Sequence, residues 1–116
     1  MKAEIFVRFT FEGFHFWKDA SEHRKYLSYR HRHNFHVELR CHVEHDDREI
    51  EFHDLIDEGK SYFVDGEMNN MSCEMMARKL VEDLSTKYKR SFTASVSEDG
   101  ECGATITKDY DVWKSH

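Results

Sequence analysis

The 116-residue chain contains no proline, only five glycines and only three cysteines. With no proline and no Gly/Ser-rich run, nothing in the composition marks a linker, so residues 1–116 read as one domain. The cysteines, Cys41, Cys73 and Cys102, are odd in number and far apart. That excludes a CxxC knuckle, argues against a disulfide framework, and fits a reduced, cytoplasmic setting. No apolar run approaches the roughly 20 residues of a membrane span. The opening MKAEIFVRFTFEG alternates and carries charge, unlike a signal peptide. A basic excess is missing too: 17 Lys and Arg face 23 Asp and Glu, for a net charge of −6 with the signs interspersed. A general nucleic-acid binder needs a basic face, so that class is set aside.

What is there instead is aromatic and imidazole-rich. Nine phenylalanines supply enough bulk for one core, and nine histidines are spread along the chain. Residues 3–15 alternate, with Ile5, Val7, Phe9 and Phe11 on one parity, as in a strand with one buried face. Residues 17–30 have no clean period and read as a long loop, with room for one helical turn; loops of that length are often functional. Residues 31–45 alternate again, with Phe35, Val37, Leu39, Cys41 and Val43 as the apolar set. Asp46-Asp47-Arg48 reads as a tight turn, and Ile50 and Phe52 as a short returning strand. Residues 53–62 suggest a short helix weakened by Gly59, and residues 64–70 a turn. Ser72 is placed to cap a helix running to about Tyr88, with Met76, Leu80 and Leu84 on its apolar face. Two further strands follow at 91–98 and 102–109, joined by the strong turn signal Asp99-Gly100. The order is an α+β pattern with mainly antiparallel pairing.

The histidines gain meaning from this parity. His31 and His33 share the face of Phe35, Val37 and Leu39, and His15 ends the apolar face of the first strand. If these two strands pair antiparallel across the 17–30 loop, all three imidazoles meet at one end of the sheet. Three neutral imidazoles leave a fourth position open, the usual plan of a catalytic Zn2+ site. In a chain with nine histidines an HxH pair also arises by chance, and it is His15 in register that makes the case. Glu98 continues the parity of Phe92, Ala94 and Val96. A carboxylate there needs a partner, and a purine-like or pterin ring with adjacent N–H donors is a suitable one; the plainer reading is a solvated turn residue.

The segments FTFEGFHFW, HRHNFHVEL, IEFHDL, MSCEMMARKL and VSEDGECGATI occur in the order and spacing of the 6-pyruvoyl-tetrahydropterin synthase and 6-carboxy-tetrahydropterin synthase family. The chain resembles that family from about residue 4 to 108. The resemblance implies a T-fold, an antiparallel four-stranded sheet with two helices packed on one face. It implies a homo-oligomer, a trimer or hexamer with sites between subunits. It implies zinc held by His15, His31 and His33, and a pterin-like substrate anchored by Glu98, most commonly 7,8-dihydroneopterin triphosphate. The implied activity is that of a zinc-dependent lyase.

The departures are equally specific. Leu27 occupies the place of the family's catalytic cysteine, four residues before His31. Val64-Asp65-Gly66 matches its Asp-His segment, keeping Asp65 as the candidate catalytic residue and losing the histidine. Arg32 replaces a glycine inside HxH and, by alternation, points away from the metal. Three readings follow. One is a zinc lyase on a pterin triphosphate with its base drawn from elsewhere, such as His23, Tyr26 or Tyr29. A second is a related T-fold enzyme on another pterin-like or deazapurine-like substrate. The third is a non-catalytic zinc-containing ligand-binding or assembly protein.

Overall fold

The structure is a computed structural model and describes residues 1–110; the last six residues of the expected 1–116 domain lie outside them. Strand β1 spans Ala3–His15 and β2 spans His31–Val43. They pair antiparallel over their full length, from Ala3 opposite Val43 to His15 opposite His31. The connecting segment carries a 3-10 helix at Glu22–Ser28, the helical turn for which the 17–30 loop has room. Helix α1 (Phe52–Lys60), the short strand β3 (Glu67–Asn69), helix α2 (Cys73–Tyr88) and strands β4 (Phe92–Glu98) and β5 (Cys102–Lys108) complete the order. The sheet runs β3-β1-β2-β4-β5.

Two expectations are corrected. The sheet has five strands rather than four, because β3 adds to β1 in parallel beside Phe14 and His15. Three residues within a turn-like stretch are too few to show a period. The returning strand at Ile50 and Phe52 does not form. Glu51 instead caps α1, its carboxylate accepting from the Asp54 N–H at 2.8 Å, and Phe52 opens the helix. Two alternating residues are a weak signal, and a capped helix start overrides them. Gly59 also has a packing role. It marks where α1 meets the sheet: a Cβ there would lie 2.7 Å from the Phe9 ring.

Both helices belong to one core. Leu55 of α1 and Met76, Ala77, Leu80, Val81 and Leu84 of α2 join Val7, Phe9, Val37, Leu39, Phe92, Ala94 and Val96 of the sheet in one buried cluster. Ser72 caps α2 as its position implies, accepting from the Met75 N–H at 3.1 Å. The opposite face of the sheet is polar. Arg8 and Arg40 both donate to Glu38, at 2.7 and 2.5 Å, and Ser95 bonds Thr105 at 2.7 Å. A sheet covered on one side and wet on the other explains the strict alternation of β1 and β2. Among the described residues no helix is long and apolar enough to cross a membrane.

Candidate metal centre

The β1–β2 register decides the site. It sets His15 directly across from His31, and His33 across from Gly13. A side chain at Gly13 would collide with the stacked rings of Phe11 and Phe35, which lie 5.1 Å apart under the histidines. The three imidazoles pack edge to face, with centroids 4.5 to 5.1 Å apart. β4 runs beside β2 and brings Glu98 opposite Phe35, two residues beyond His33.

Each imidazole is oriented by its Nδ1. His15 Nδ1 lies 2.9 Å from the Met71 carbonyl, His31 Nδ1 2.8 Å from the Tyr29 carbonyl, and His33 Nδ1 2.8 Å from Asp99 Oδ2. Carbonyl and carboxylate oxygens only accept, so all three histidines donate through Nδ1. In its neutral form a ring so bonded presents its Nε2 lone pair. The Nε2 atoms of His15 and His33 are buried and have no hydrogen-bond partner. Glu98 Oε2 stands 3.0 Å from His15 Nε2 and 3.5 Å from His33 Nε2. Lone pairs and a carboxylate facing one another at these distances repel unless a cation lies among them.

The donor atoms of His15, His31, His33 and Glu98 all lie within 4.8 Å of one another. A tetrahedral zinc with bonds near 2.0–2.1 Å separates its ligands by about 3.4 Å, so the set fits a small divalent ion. Burial holds His15 below the ordinary histidine pKa, which favours the neutral, ligating form near pH 7.

Asp99 was not singled out from the sequence as a site residue. Its backbone is left-handed (φ +58°), its Oδ1 accepts from the Asn34 N–H at 2.9 Å, and its Oδ2 holds His33. These bonds, the Asn34 N–H first, keep its carboxyl below the usual range. An aspartate before glycine in a tight turn is the signal, but only the β2–β4 register shows that it reaches His33.

Beside the cluster lies a cavity of about 610 Å³. His15, His31 and Glu98 form one wall; Phe16, Trp17, Leu27, Met71 and Met75 give it apolar surface; Asp19 and Glu74 add carboxylates. Phe16 N–H donates to the Asn69 carbonyl at 2.9 Å across the cavity rim, and Trp17 N–H donates to the Leu27 carbonyl at 2.8 Å, closing the loop on itself.

The expected departures have structural counterparts. Leu27 lines the cavity and brings no protic group. Asp65 is not brought there: its Oδ1 accepts from the Glu67 N–H at 3.0 Å and holds the turn into β3. Gly66 has φ +71°, and a Cβ on it would stand 2.8 Å from the Glu12 carbonyl, so a histidine does not fit the turn. Tyr26, Tyr29 and His23 do not line the cavity either. Arg32 lies on the other sheet face, paired with Glu12 at 3.2 Å. Neither cysteine in the wall is an activated thiol. Burial raises Cys73 to about 12, and the Glu98 charge raises Cys102.

An α+β sheet with its helices on one face is the architecture of the T-fold class. Solved structures similar to this chain include 6-pyruvoyltetrahydropterin synthases. A Plasmodium vivax enzyme whose catalytic glutamate was replaced by alanine aligns with a TM-score of 0.66 at 15% identity, over 94% of this chain and 99% of that one. The Plasmodium falciparum enzyme aligns with a TM-score of 0.66 at 16% identity, over 93% and 98%. Another P. vivax structure gives 0.63 at 15%, over 94% and 99%. The chain therefore has the 6-pyruvoyltetrahydropterin synthase fold. No protein-family profile and no curated protein sequence matches it.

Proposed function

We propose that this chain is a zinc-dependent pterin-processing lyase of the tetrahydropterin synthase type, working as a homo-oligomer. One observation carries the reading. Three histidines donate through Nδ1 to fixed acceptors, so their Nε2 atoms converge with Glu98 beside an apolar cavity. His15, His31 and His33 would hold Zn2+, which supplies Lewis-acid polarisation of a ligand hydroxyl or carbonyl. Glu98, beside the three histidines, would accept ring N–H groups of the substrate and leave the fourth metal position open. Trp17, Phe16 and Leu27 enclose the ring and exclude water.

Asp65 is not a proton carrier in this reading, since its carboxylate serves the β3 turn. Asp19 and Glu74 line the cavity and are the carboxylates suited to move protons. In the P. vivax relative a glutamate is a catalytic residue, so a carboxylate in that role has a parallel. The open edge of β5 would take a neighbour's strand and bring subunits together around the site.

A second reading, a non-catalytic zinc and pterin-like ligand-binding protein, is favoured by Leu27 and Gly66, which remove the side chains the related enzymes use. Metal content and turnover separate the two. After zinc exposure the purified protein should hold close to one equivalent, and His31→Ala and His33→Ala should lose it. Less than about a tenth of an equivalent on the unaltered chain would sink the metal centre. Loss of the side chain from dihydroneopterin or its triphosphate marks the lyase. Binding that Glu98→Ala abolishes, without turnover, marks the second reading.

A further inference from the structure

We infer that the cavity takes an unphosphorylated, uncharged pterin-like ring compound and discriminates against its phosphorylated forms through Asp19 and Glu74. The inference rests on the proposed pterin reading and concerns the substrate class of the same site. The charge of the wall carries it. Among the described residues three carboxylates, Asp19, Glu74 and Glu98, line the cavity, and no lysine or arginine does. Phosphate sites are built from arginine forks, lysines or helix N-termini.

The two arginines that flank His31 in sequence are committed elsewhere. Arg30 donates from Nε and Nη2 to Glu67, at 3.2 and 2.5 Å, and stacks 3.7 Å over the Phe14 ring. Arg32 pairs with Glu12. The α2 N-terminus does reach the wall, but Glu74 sits in its first turn and supplies the negative charge an anion would bring.

The magnitudes agree. A triphosphate carries roughly three to four negative charges near neutral pH, since one phosphate monoester alone carries about two. A cavity of about 610 Å³ is on the order of 8–9 Å across, comparable with the Debye length of about 8 Å at physiological salt. A phosphate held inside the cavity lies within about one Debye length of the wall carboxylates. The ring itself suits the site. Phe16, Trp17 and Met75 offer apolar faces, and Glu98 marks the end of the wall where polar ring N–H groups belong.

The test is calorimetry on the zinc-loaded intact chain in its native assembly, so that residues brought by a second copy are counted. Dihydroneopterin should bind at least tenfold more tightly than dihydroneopterin triphosphate at low ionic strength. Added salt should narrow the gap. The double variant Asp19→Asn/Glu74→Gln, altering two exposed side chains, should close most of it. Equal or tighter binding of the triphosphate overturns the inference and leaves the pterin reading standing. Binding of neither compound overturns the pterin reading itself. A gap unchanged in the double variant overturns the role of Asp19 and Glu74.

Discussion

Replacing Asp99 by asparagine should weaken zinc binding about 10- to 100-fold while leaving the fold in place. The variant keeps size and shape, and asparagine tolerates the left-handed backbone (φ +58°) that Asp99 adopts. What changes is the number of acceptors. Asp99 offers two oxygens, one to the Asn34 N–H at 2.9 Å and one to His33 Nδ1 at 2.8 Å. Asparagine has one oxygen. If that oxygen stays on the Asn34 N–H, the amide NH2 faces His33 Nδ1. The ring is then favoured in the other tautomer, with the proton on Nε2 and no lone pair for a metal. If the oxygen turns to His33, the Asn34 N–H loses its acceptor. A 10- to 100-fold loss corresponds to roughly 1.4–2.7 kcal/mol, at about 1.36 kcal/mol per tenfold. The assay is competition against a chelator of known zinc affinity near pH 7.5. Nitrogen-15 spectra of the His33 ring in the metal-free protein report the tautomer directly. An affinity within about threefold of the unaltered protein, with the His33 proton still on Nδ1, would refute the argument.

Three further outcomes follow from the geometry. Leu80→Ala, at a fully buried α2 position facing the sheet, should destabilise by about 2–5 kcal/mol in urea titration without changing zinc stoichiometry. Gly66→Ala should cost at least about 1–2 kcal/mol from the left-handed backbone alone, with a further clash against the Glu12 carbonyl 2.8 Å from its Cβ; unchanged thermal stability would contradict the turn geometry. Glu49 accepts from Arg90 and from the Glu44 and His45 N–H groups, which hold its pKa at about 2 against an ordinary 4.5. A depressed carboxylate pKa stabilises the fold fully above 4.5 and progressively less as pH falls toward 2. Glu49→Gln should therefore flatten acid unfolding in that window, as followed by circular dichroism.

Much of the site is legible in the sequence because strand parity is a period of two. His31 and His33 share the face of Phe35 and Val37, and His15 ends the face of Phe9 and Phe11, so one antiparallel pairing brings all three together. The helix cap at Ser72 is likewise local, one side chain serving an N–H three residues on. The missed features are all contacts between segments distant in sequence. Asp99 looks like a turn residue until β4 lies beside β2 and its carboxylate meets His33. Gly59 looks like a helix fault until α1 rests on Phe9.

The sequence alone therefore settles which residues face the core, where α2 begins, and which imidazoles belong to one sheet end, because alternation and capping act over a few residues. Only the tertiary structure decides the rest. Register turns those imidazoles into a cluster with their Nε2 atoms aimed inward, sets Glu98 from the end of β4 beside them, brings in Asp99 from the turn that follows, and leaves Asp65 to a turn bond. It also gathers Asp19, Leu27 and Glu74 around one cavity. The physical reason is reach. A hydrogen bond spans about 3 Å, and nothing in a linear pattern says which residues dozens of positions apart will come within it.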